Sequence, residues 1–307
     1  MVYGFAREGP KRRDIRLKPP PFEYAAAESV EAVITLLARH RHGAKLIAGG
    51  QSLTPMLNFR LLAPDILIDL CRIPDLDRIE PHGGGFRIGA LVRYRQLIAD
   101  AGLNADCPIV PHVIRHVAHR AIRNRGTVGG SLAHADPAAE LPMLAVLLDG
   151  RVGLAGPYGR KTAGATDIFK GPLTTNLAED EMIVSLILPR LADNAGWGFE
   201  EVARRAGDFA LAGAGAVITR KRGAIDSARV AVMGVDETPR RLPAVERGLT
   251  GRPFDAAART DAVAAARTAV NPTTDLQASA DYRRHLAGVV VGRALDRAWA
   301  GAAEPAA

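Results

Sequence analysis

The sequence contains few residues that could bind a metal cluster or cross a membrane. Its 307 residues include two cysteines, Cys71 and Cys107, and no CxxC pair. Because an iron–sulfur cluster of the usual kind takes four thiolates, this chain cannot ligate one alone, and so few cysteines are typical of a reducing compartment. No apolar run approaches the roughly 20 residues that span a bilayer. No apolar stretch follows the basic residues 11–13 either, so we expect a cytoplasmic protein without a signal peptide.

Aromatic residues are also scarce, at 5% of the chain, although the formal net charge is +7. The arginines are scattered rather than gathered into a stripe, and no nucleic-acid-binding motif is present. These features argue against a nucleic-acid partner. A basic chain of this kind suits an anionic cofactor or an acidic protein partner.

A nicotinamide-binding fingerprint is missing as well. The pair Gly49–Gly50 lacks the third glycine, and Gly213–Gly215 is followed by Ile218 where a small residue is required. The run Gly83–Gly85 lies between two alternating segments and predicts a hairpin turn. No Ser-His-Asp or Cys-His arrangement is readable, so we assign no catalytic residue and no metal ligand to this chain.

Two similar segments, each with a Gly-Gly pair and a hydroxyl side chain, are the most informative feature. The first is Leu46–Leu53 and the second, about eighty residues later, is Arg123–Ser131. Glycine lets another group approach the backbone closely, and consecutive backbone N–H groups form a concave site for anions. Two such segments predict a ligand with two phosphates, held from both sides.

The distribution of hydrophobic residues predicts an α+β protein of two domains. We expect an extended arm over 1–17, a first domain over 18–194 with lobes at about 18–75 and 76–194, a second domain over 195–300 and a disordered tail over 301–307. Apolar spacing predicts helices at 29–40, 94–100, 110–119, 138–149, 256–270 and 281–300. It predicts strands at 44–48, 65–70 and 180–188, and an antiparallel meander at 199–206, 211–219 and 228–235.

Several side chains allow two interpretations. His112, His116 and His119 would share one face of the helix predicted at 110–119. They could bind zinc, but we favour polar packing because no carboxylate or thiolate is near. His134 and Asp136 flank the second glycine segment and could contact a ligand, although Asp136 before a proline could instead form a turn.

The segment 204–209 also has two interpretations. It is either an exposed hairpin edge or a loop that places Phe209 beside a flat ring. Its two arginines, its aspartate and its aromatic residue fit both equally well.

In these motifs the sequence resembles the FAD-binding medium subunit of the molybdenum hydroxylases, the family of carbon monoxide dehydrogenase, xanthine dehydrogenase and aldehyde oxidoreductase. The resemblance covers about residues 17–300. The segments that carry it are Ala48–Leu53, Arg123–Ser131, Ala135–Pro142, Phe169–Thr175, Arg204–Phe209 and Ala278–Leu286.

This resemblance implies a two-lobed FAD-binding domain of the vanillyl-alcohol-oxidase type, followed by a smaller α+β domain that covers the flavin. Non-covalent FAD would lie between the lobes, with its pyrophosphate held by both glycine segments and its ribityl hydroxyls by Asp136. Relatives often carry tyrosine at the position of Phe209, so a hydroxyl role is lost there. The predicted cofactor-binding residues are Leu46, Ile47, Ala48, Gly49, Gly50, Gln51, Ser52, Leu53, Ala118, Thr127, Gly129, Gly130, Ser131, His134, Asp136, Ile183, Val184 and Phe209.

The same resemblance implies an oxidoreductase subunit whose partners carry the other redox centres. A large subunit would hold the molybdenum cofactor and a small subunit two [2Fe–2S] clusters, so these centres are expected on partner subunits only. The assembly would be a dimer of heterotrimers. Electrons would reach FAD from the clusters and leave to an external acceptor. Two alternatives are a stand-alone flavin oxidase of the same fold and a flavin-free scaffold protein.

Overall fold

The computed structural model describes residues 18–305. Its first lobe is a three-stranded parallel sheet flanked by helices. The elements are β1 (Glu23–Ala26), α1 (Val30–His40), a 3-10 turn (Arg41–Gly43), β2 (Ala44–Ile47), α2 (Leu53–Asn58) and β3 (Ile66–Asp69). The strand order is β1-β3-β2. The Ser29 side chain accepts the N–H of Ala32 at 3.1 Å, and this cap explains why α1 begins where the sequence predicts.

The second lobe is a five-stranded antiparallel sheet that encloses a bundle of short helices. It contains β4 (Ile79–His82), β5 (Gly85–Gly89), α3 (Tyr94–Ala99), α4 (Ala101–Asp106), α5 (Ile109–Ile114), α6 (Arg120–Arg123), α7 (Val128–His134), α8 (Glu140–Leu147), β6 (Arg151–Gly156), β7 (Gly159–Gly164), α9 (Ala165–Ile168), β8 (Phe169–Gly171), β9 (Thr174–Thr175) and β10 (Met182–Pro189). The order is β4-β5-β10-β6-β7, with β8 and β9 as a separate pair. The most apolar predicted strand, β10, therefore lies at the centre.

The C-terminal part is a four-stranded meander covered by three helices. Its elements are β11 (Gly196–Ala203), β12 (Ala210–Lys221), β13 (Ala224–Met233), β14 (Arg240–Arg241), α10 (Pro243–Leu249), α11 (Ala256–Ala269) and α12 (Ala280–Gly301). Gly198 allows α12 to cross β11 closely, because a Cβ there would lie 3.0 Å from the carbonyl carbon of Ala294. Helices packed on one small parallel sheet and two larger antiparallel sheets confirm the α+β prediction.

The hydrophobic cores of the three parts interlock. The core of the second lobe extends to Phe199 and Met233 of the meander. The core of the first lobe includes Leu91 and Val184 from the second lobe. The second lobe is thus packed against both neighbours, and the two glycine segments lie on either side of its contact with the first lobe.

The ends of the chain differ from the sequence-based expectation. The arm predicted at 1–17 lies outside the described residues, as do residues 306 and 307. The prediction of a disordered tail is wrong for 302–304. Ala302 is buried, and the carboxylate of Glu304 accepts the N–H groups of Arg222 at 2.8 Å and Gly223 at 3.0 Å. The N–H groups of the turn at residues 222 and 223 therefore order this segment by binding Glu304. A hydropathy pattern does not reveal such a contact.

Within residues 18–305, no helix combines the length and apolarity that crossing a bilayer requires.

Candidate functional site

The first glycine segment forms an open loop between β2 and α2. All residues from Leu46 to Leu53 are half-buried, and Gly50 has a left-handed φ of 72°. Within residues 18–305, the N–H groups of the four residues 49–52 have no hydrogen-bond acceptor in the protein. Three carbonyls of the same residues do have partners within the protein. That of Gly49 accepts the side-chain amide of Gln51 at 2.8 Å, and those of Gly50 and Ser52 accept N–H groups of α2. The loop therefore presents a row of donors, which fits a phosphate anion.

The two glycine segments touch each other directly. A Cβ on Gly49 would overlap the carbonyl oxygen of Arg125 and lie 2.8 Å from its carbonyl carbon and 3.2 Å from the Cα of Gly126. The Arg125 side chain donates from Nε to the carbonyl of Gly49 at 3.4 Å. The structure thus brings together the segments that the sequence paired, and the missing side chain of Gly49 is needed for this contact between lobes.

The second glycine segment is not an open loop. It is the first turn of α7, and each N–H from 128 to 131 already has an acceptor. The pairs are Val128 N–H to Val92 O at 2.9 Å, Gly129 N–H to Ala90 O at 2.8 Å, Gly130 N–H to Thr127 Oγ1 at 3.2 Å and Ser131 N–H to Thr127 O at 3.0 Å. In this structure these backbone N–H groups are therefore engaged within the protein, and their contact with a pyrophosphate stays a prediction. The first turn of a helix has N–H groups without intrahelical acceptors, and here Thr127, Ala90 and Val92 provide acceptors for them.

Other features explain the glycines of this turn. A Cβ on Gly129 would lie 2.7 Å from the Cβ of Ala90, so Gly129 allows α7 to pack against the end of β5. Gly130 is exposed and Ser131 half-buried, whereas Thr127 is buried at 6%. The hydroxyls of Thr127 and Ser131 can still donate to a ligand, because a hydroxyl that accepts a hydrogen bond keeps its own proton to give.

The segment after α7 places Asp136 beside the C-terminal part, whereas His134 is the last residue of that helix. The helix ends at His134, and Ala135 is left-handed with φ 53°. Asp136 Oδ1 accepts the N–H of Ala138 at 2.8 Å, so the turn-forming interpretation of Asp136 is confirmed for that oxygen. Its Oδ2 has no hydrogen-bond partner within residues 18–305. Asp136 also borders a cavity of about 260 Å³ together with Phe209.

The helix predicted over 110–119 is wrong. The structure ends α5 at Ile114, Ala118 adopts a left-handed φ of 41°, and His119 precedes α6 as its N-cap. The three histidines therefore do not share a helical face. The described residues contain no group of three or more potential metal ligands.

Aromatic packing accounts for two of these histidines. The ring of His112 lies 5.0 Å from that of Trp197, and the ring of His116 lies 5.1 Å from that of Phe199. These contacts join residues 112 and 116 to the first strand of the meander. His116 Nδ1 also lies 3.3 Å from Glu201 Oε1, a carboxylate that the sequence did not place nearby.

Phe209 is 66% exposed in the loop between β11 and β12. A large aromatic side chain left exposed at a cavity mouth suits contact with a flat ligand. The loop rests on the second lobe through Gly207, whose backbone meets the turn at Ala118. Ala118 and Phe209, predicted from distant segments, are thus brought to the same region.

Ile183 and Val184 lie in β10 at an irregularity of the sheet. The register with β6 shifts between Ile183 and Ser185, and the carbonyl of Val184 accepts the N–H of Ala90 at 3.0 Å. Both side chains are buried, in the cores of different lobes. Any contact they make with a ligand would therefore come from backbone atoms, and that contact stays a prediction.

The roles of three charged residues, Arg93, Arg125 and Glu140, were not predicted from the sequence. Arg125 reaches Gly49, and Arg93 donates from Nη1 to the carbonyl of Asn124 at 3.3 Å. Burial raises the pKa of the Glu140 carboxyl at the start of α8 to about 8, and the nearby carboxylates of Glu201 and Asp136 act in the same direction. Glu140 is the first residue of α8, where the helix dipole favours a negative charge, but the effect of burial is larger.

Two family models match nearly the whole chain. The model described as FAD binding domain in molybdopterin dehydrogenase matches residues 20–191. The model described as CO dehydrogenase flavoprotein C-terminal domain matches residues 197–298.

Similar proteins with assigned activities cover the same length. The carbon monoxide dehydrogenase medium chain of Hydrogenophaga pseudoflava is 37% identical over 282 residues, which is 92% of this chain and 98% of that protein. The nicotine 6-hydroxylase medium subunit of Paenarthrobacter nicotinovorans is 36% identical over 284 residues, 92% of this chain and 99% of that protein.

Two solved structures are similar to this one over nearly the same length of chain. A carbon monoxide dehydrogenase structure from Hydrogenophaga pseudoflava superposes with a TM-score of 0.91 at 38% identity and covers 93% of this chain and 99% of that one. The quinoline 2-oxidoreductase of Pseudomonas putida 86 gives a TM-score of 0.88 at 38% identity, covering 92% and 99% of the two chains.

Proposed function

Because this chain belongs to the family of FAD-binding medium subunits of molybdenum hydroxylases, we propose that its loop 48–52 holds the pyrophosphate of FAD. When bound, FAD supplies two-electron redox chemistry that links the rest of the complex to an external electron acceptor. The observation that carries the proposal is the row of four N–H groups, from Gly49 to Ser52, with no acceptor within residues 18–305. Such a row fits two negative phosphates without a dedicated cationic side chain.

The other predicted residues contribute in different ways. The hydroxyls of Thr127 and Ser131 donate from the second lobe in place of the backbone N–H groups that α7 consumes. Asp136 offers Oδ2 to the ribityl hydroxyls while Oδ1 holds its own turn. Phe209 supplies an exposed apolar face toward the ring and excludes water from it. Arg125 adds positive charge at the junction of the two segments.

The relatives are medium subunits or chains of multi-subunit complexes. For this chain we propose a small iron–sulfur subunit and a large molybdenum subunit as partners, in a dimer of heterotrimers. The sequence supports that division, because two cysteines cannot ligate two clusters that take four ligands each. A cytoplasmic location is part of the proposal, and the free thiols of Cys71 and Cys107 fit a reducing compartment.

Purification of the tagged chain from its native host tests this function. We expect flavin absorbance near ~450 nm, release of FAD on heating, and co-purification of two further subunits containing iron and molybdenum. FAD without any partner subunit would favour the stand-alone oxidase. A colourless chain that takes up no added FAD would refute the proposal and favour a scaffold role.

A further inference from the structure

The turn at Ala118 is held in an unfavourable backbone conformation. Ala118 has φ 41°, a left-handed value that costs energy for a residue with a Cβ. Such a conformation persists only where the surroundings enforce it. The turn separates α5 from α6, and it was this turn that broke the helix expected over 110–119.

Arg123 holds this turn from the far end of α6. Its Nη1 donates to the carbonyl of Val117 at 2.7 Å and to that of Ala118 at 2.6 Å. Charge-assisted hydrogen bonds of this length are stronger than neutral ones, and both end on the two carbonyls that define the turn. Arg123 lies four residues before Thr127, so the same short segment also leads into α7.

The loop that carries Phe209 packs against the Ala118 turn. Gly207 has φ 85° and stands at the third position of a tight turn closed by Asp208 N–H to Arg205 O at 3.1 Å. A Cβ on Gly207 would lie 3.1 Å from the carbonyl carbon and oxygen of Ala118. The backbone of this loop therefore rests on the backbone of the Ala118 turn, two residues before Phe209.

From these contacts we propose that Arg123 is a positioning residue, which fixes the Ala118 turn and, through Gly207, holds Phe209 in place over the flavin. Within residues 18–305, the guanidinium makes no hydrogen bond to the loop of Phe209 or to the first glycine segment. It acts through the backbone of Val117 and Ala118. This inference rests on the proposed function, because it gives Phe209 a flavin to cover.

The test replaces Arg123 in the full-length chain with methionine, which keeps the length of the side chain but has no donor, and with lysine, which can still donate to the carbonyls. Arg120→Met is the matched control, because Arg120 is exposed on the same short helix. Docking of the loop is measured by the rate of tryptic cleavage after the exposed Arg204 and Arg205, identified by mass spectrometry. The environment of the flavin is monitored by visible circular dichroism of bound FAD.

We expect Arg123→Met to raise the cleavage rate at the loop about tenfold, the equivalent of one lost charge-assisted hydrogen bond. The same variant should change the circular dichroism of FAD, whereas Arg123→Lys should restore both signals in large part and Arg120→Met should match the wild type. Gly207→Ala should have the same effects, because its Cβ separates the loop from the turn. The double variant with Arg123→Met should then add little.

Wild-type cleavage and dichroism in Arg123→Met would overturn the inference, as would equal effects in Arg120→Met. Should Arg123→Met not fold, Arg123→Lys and Gly207→Ala decide the matter by the same two signals. If Arg123→Met raises the cleavage rate but the wild-type chain binds no FAD, the proposed function is refuted. The link between Arg123 and the loop is then still supported. The two failures are therefore distinguishable.

Discussion

Replacement of Gly49 by alanine tests how the two lobes form one binding site. The new Cβ would overlap the carbonyl oxygen of Arg125 and lie 2.8 Å from its carbon. Carbon atoms in contact prefer about 3.5–4.0 Å, so the two segments must separate by roughly 0.7–1.2 Å. Backbone atoms on both sides cannot rotate away as a side chain would. Overpacking of this kind costs about 1–3 kcal/mol.

The cost should appear mainly in FAD binding, because the contact lies at the edge of the first loop. If the whole of this free-energy cost appears as weaker binding, the affinity for FAD falls about 5- to 150-fold. Titration of the apoprotein with FAD, followed by absorbance and flavin fluorescence, measures this change. Thermal unfolding of the apoprotein should show a smaller effect, because the lobe cores remain intact.

A glycine with open space provides the control. A Cβ on Gly248 in α10 would meet nothing within 4 Å, so Gly248→Ala should leave FAD affinity unchanged and stabilise its helix by up to about 1 kcal/mol. Wild-type FAD affinity in Gly49→Ala would refute our explanation of why this position is glycine. It would mean that the observed contact between lobes does not shape the site.

Three further changes test the charged and capping groups. Arg283 is 8% exposed and donates to Leu211 O and Gly234 O at 2.8 Å each. Arg283→Met should therefore lower the free energy of unfolding in urea titrations by roughly 2–4 kcal/mol. A variant as stable as the wild type would contradict this. Because the pKa of Glu140 rises from 4.5 to about 8 on folding, the folded chain keeps a proton that the unfolded chain loses, and stability should fall as the pH rises through that window. We expect the free energy of unfolding to fall by on the order of 2 kcal/mol across this pH range, after discounting for solvent screening. Glu140→Gln should abolish this fall. The same dependence of stability on pH in both proteins would argue against a buried carboxyl. Thr127→Val should cost about 1 kcal/mol in thermal unfolding and weaken FAD binding, whereas Thr127→Ser should keep the cap; equal behaviour of the two variants would show that the hydroxyl is not used.

Much of the fold was predictable because local signals and packing agree. Ser29 caps α1 in the structure, and the apolar strand 180–188 is the central strand β10. The meander after Gly196 also forms where alternation predicted it. In α1 one face is buried, and in β10 and β12 most residues are buried, so the apolar pattern and the tertiary structure carry the same information.

The errors arose where distant groups decide the local conformation. The apolar spacing over 110–119 suits a helix, but Arg123 and Gly207 stabilise a left-handed turn at Ala118 instead. Likewise, the acceptors for the N–H groups of α7 lie partly on Ala90 and Val92, almost forty residues earlier. A Gly-Gly pair has the same sequence signature whether its donors are free or used, so the sequence could not separate the first segment from the second.

Hydrogen–deuterium exchange at single-residue resolution, with and without FAD, tests most directly how this chain holds its cofactor. The N–H groups of Gly49–Ser52 have no acceptor within residues 18–305, whereas those of Val128–Ser131 are already bonded. We therefore expect FAD to slow exchange strongly across 49–52 and to leave 128–131 almost unchanged. Slowed exchange at 128–131 without any change at 49–52 would contradict the assignment of the pyrophosphate to the first loop.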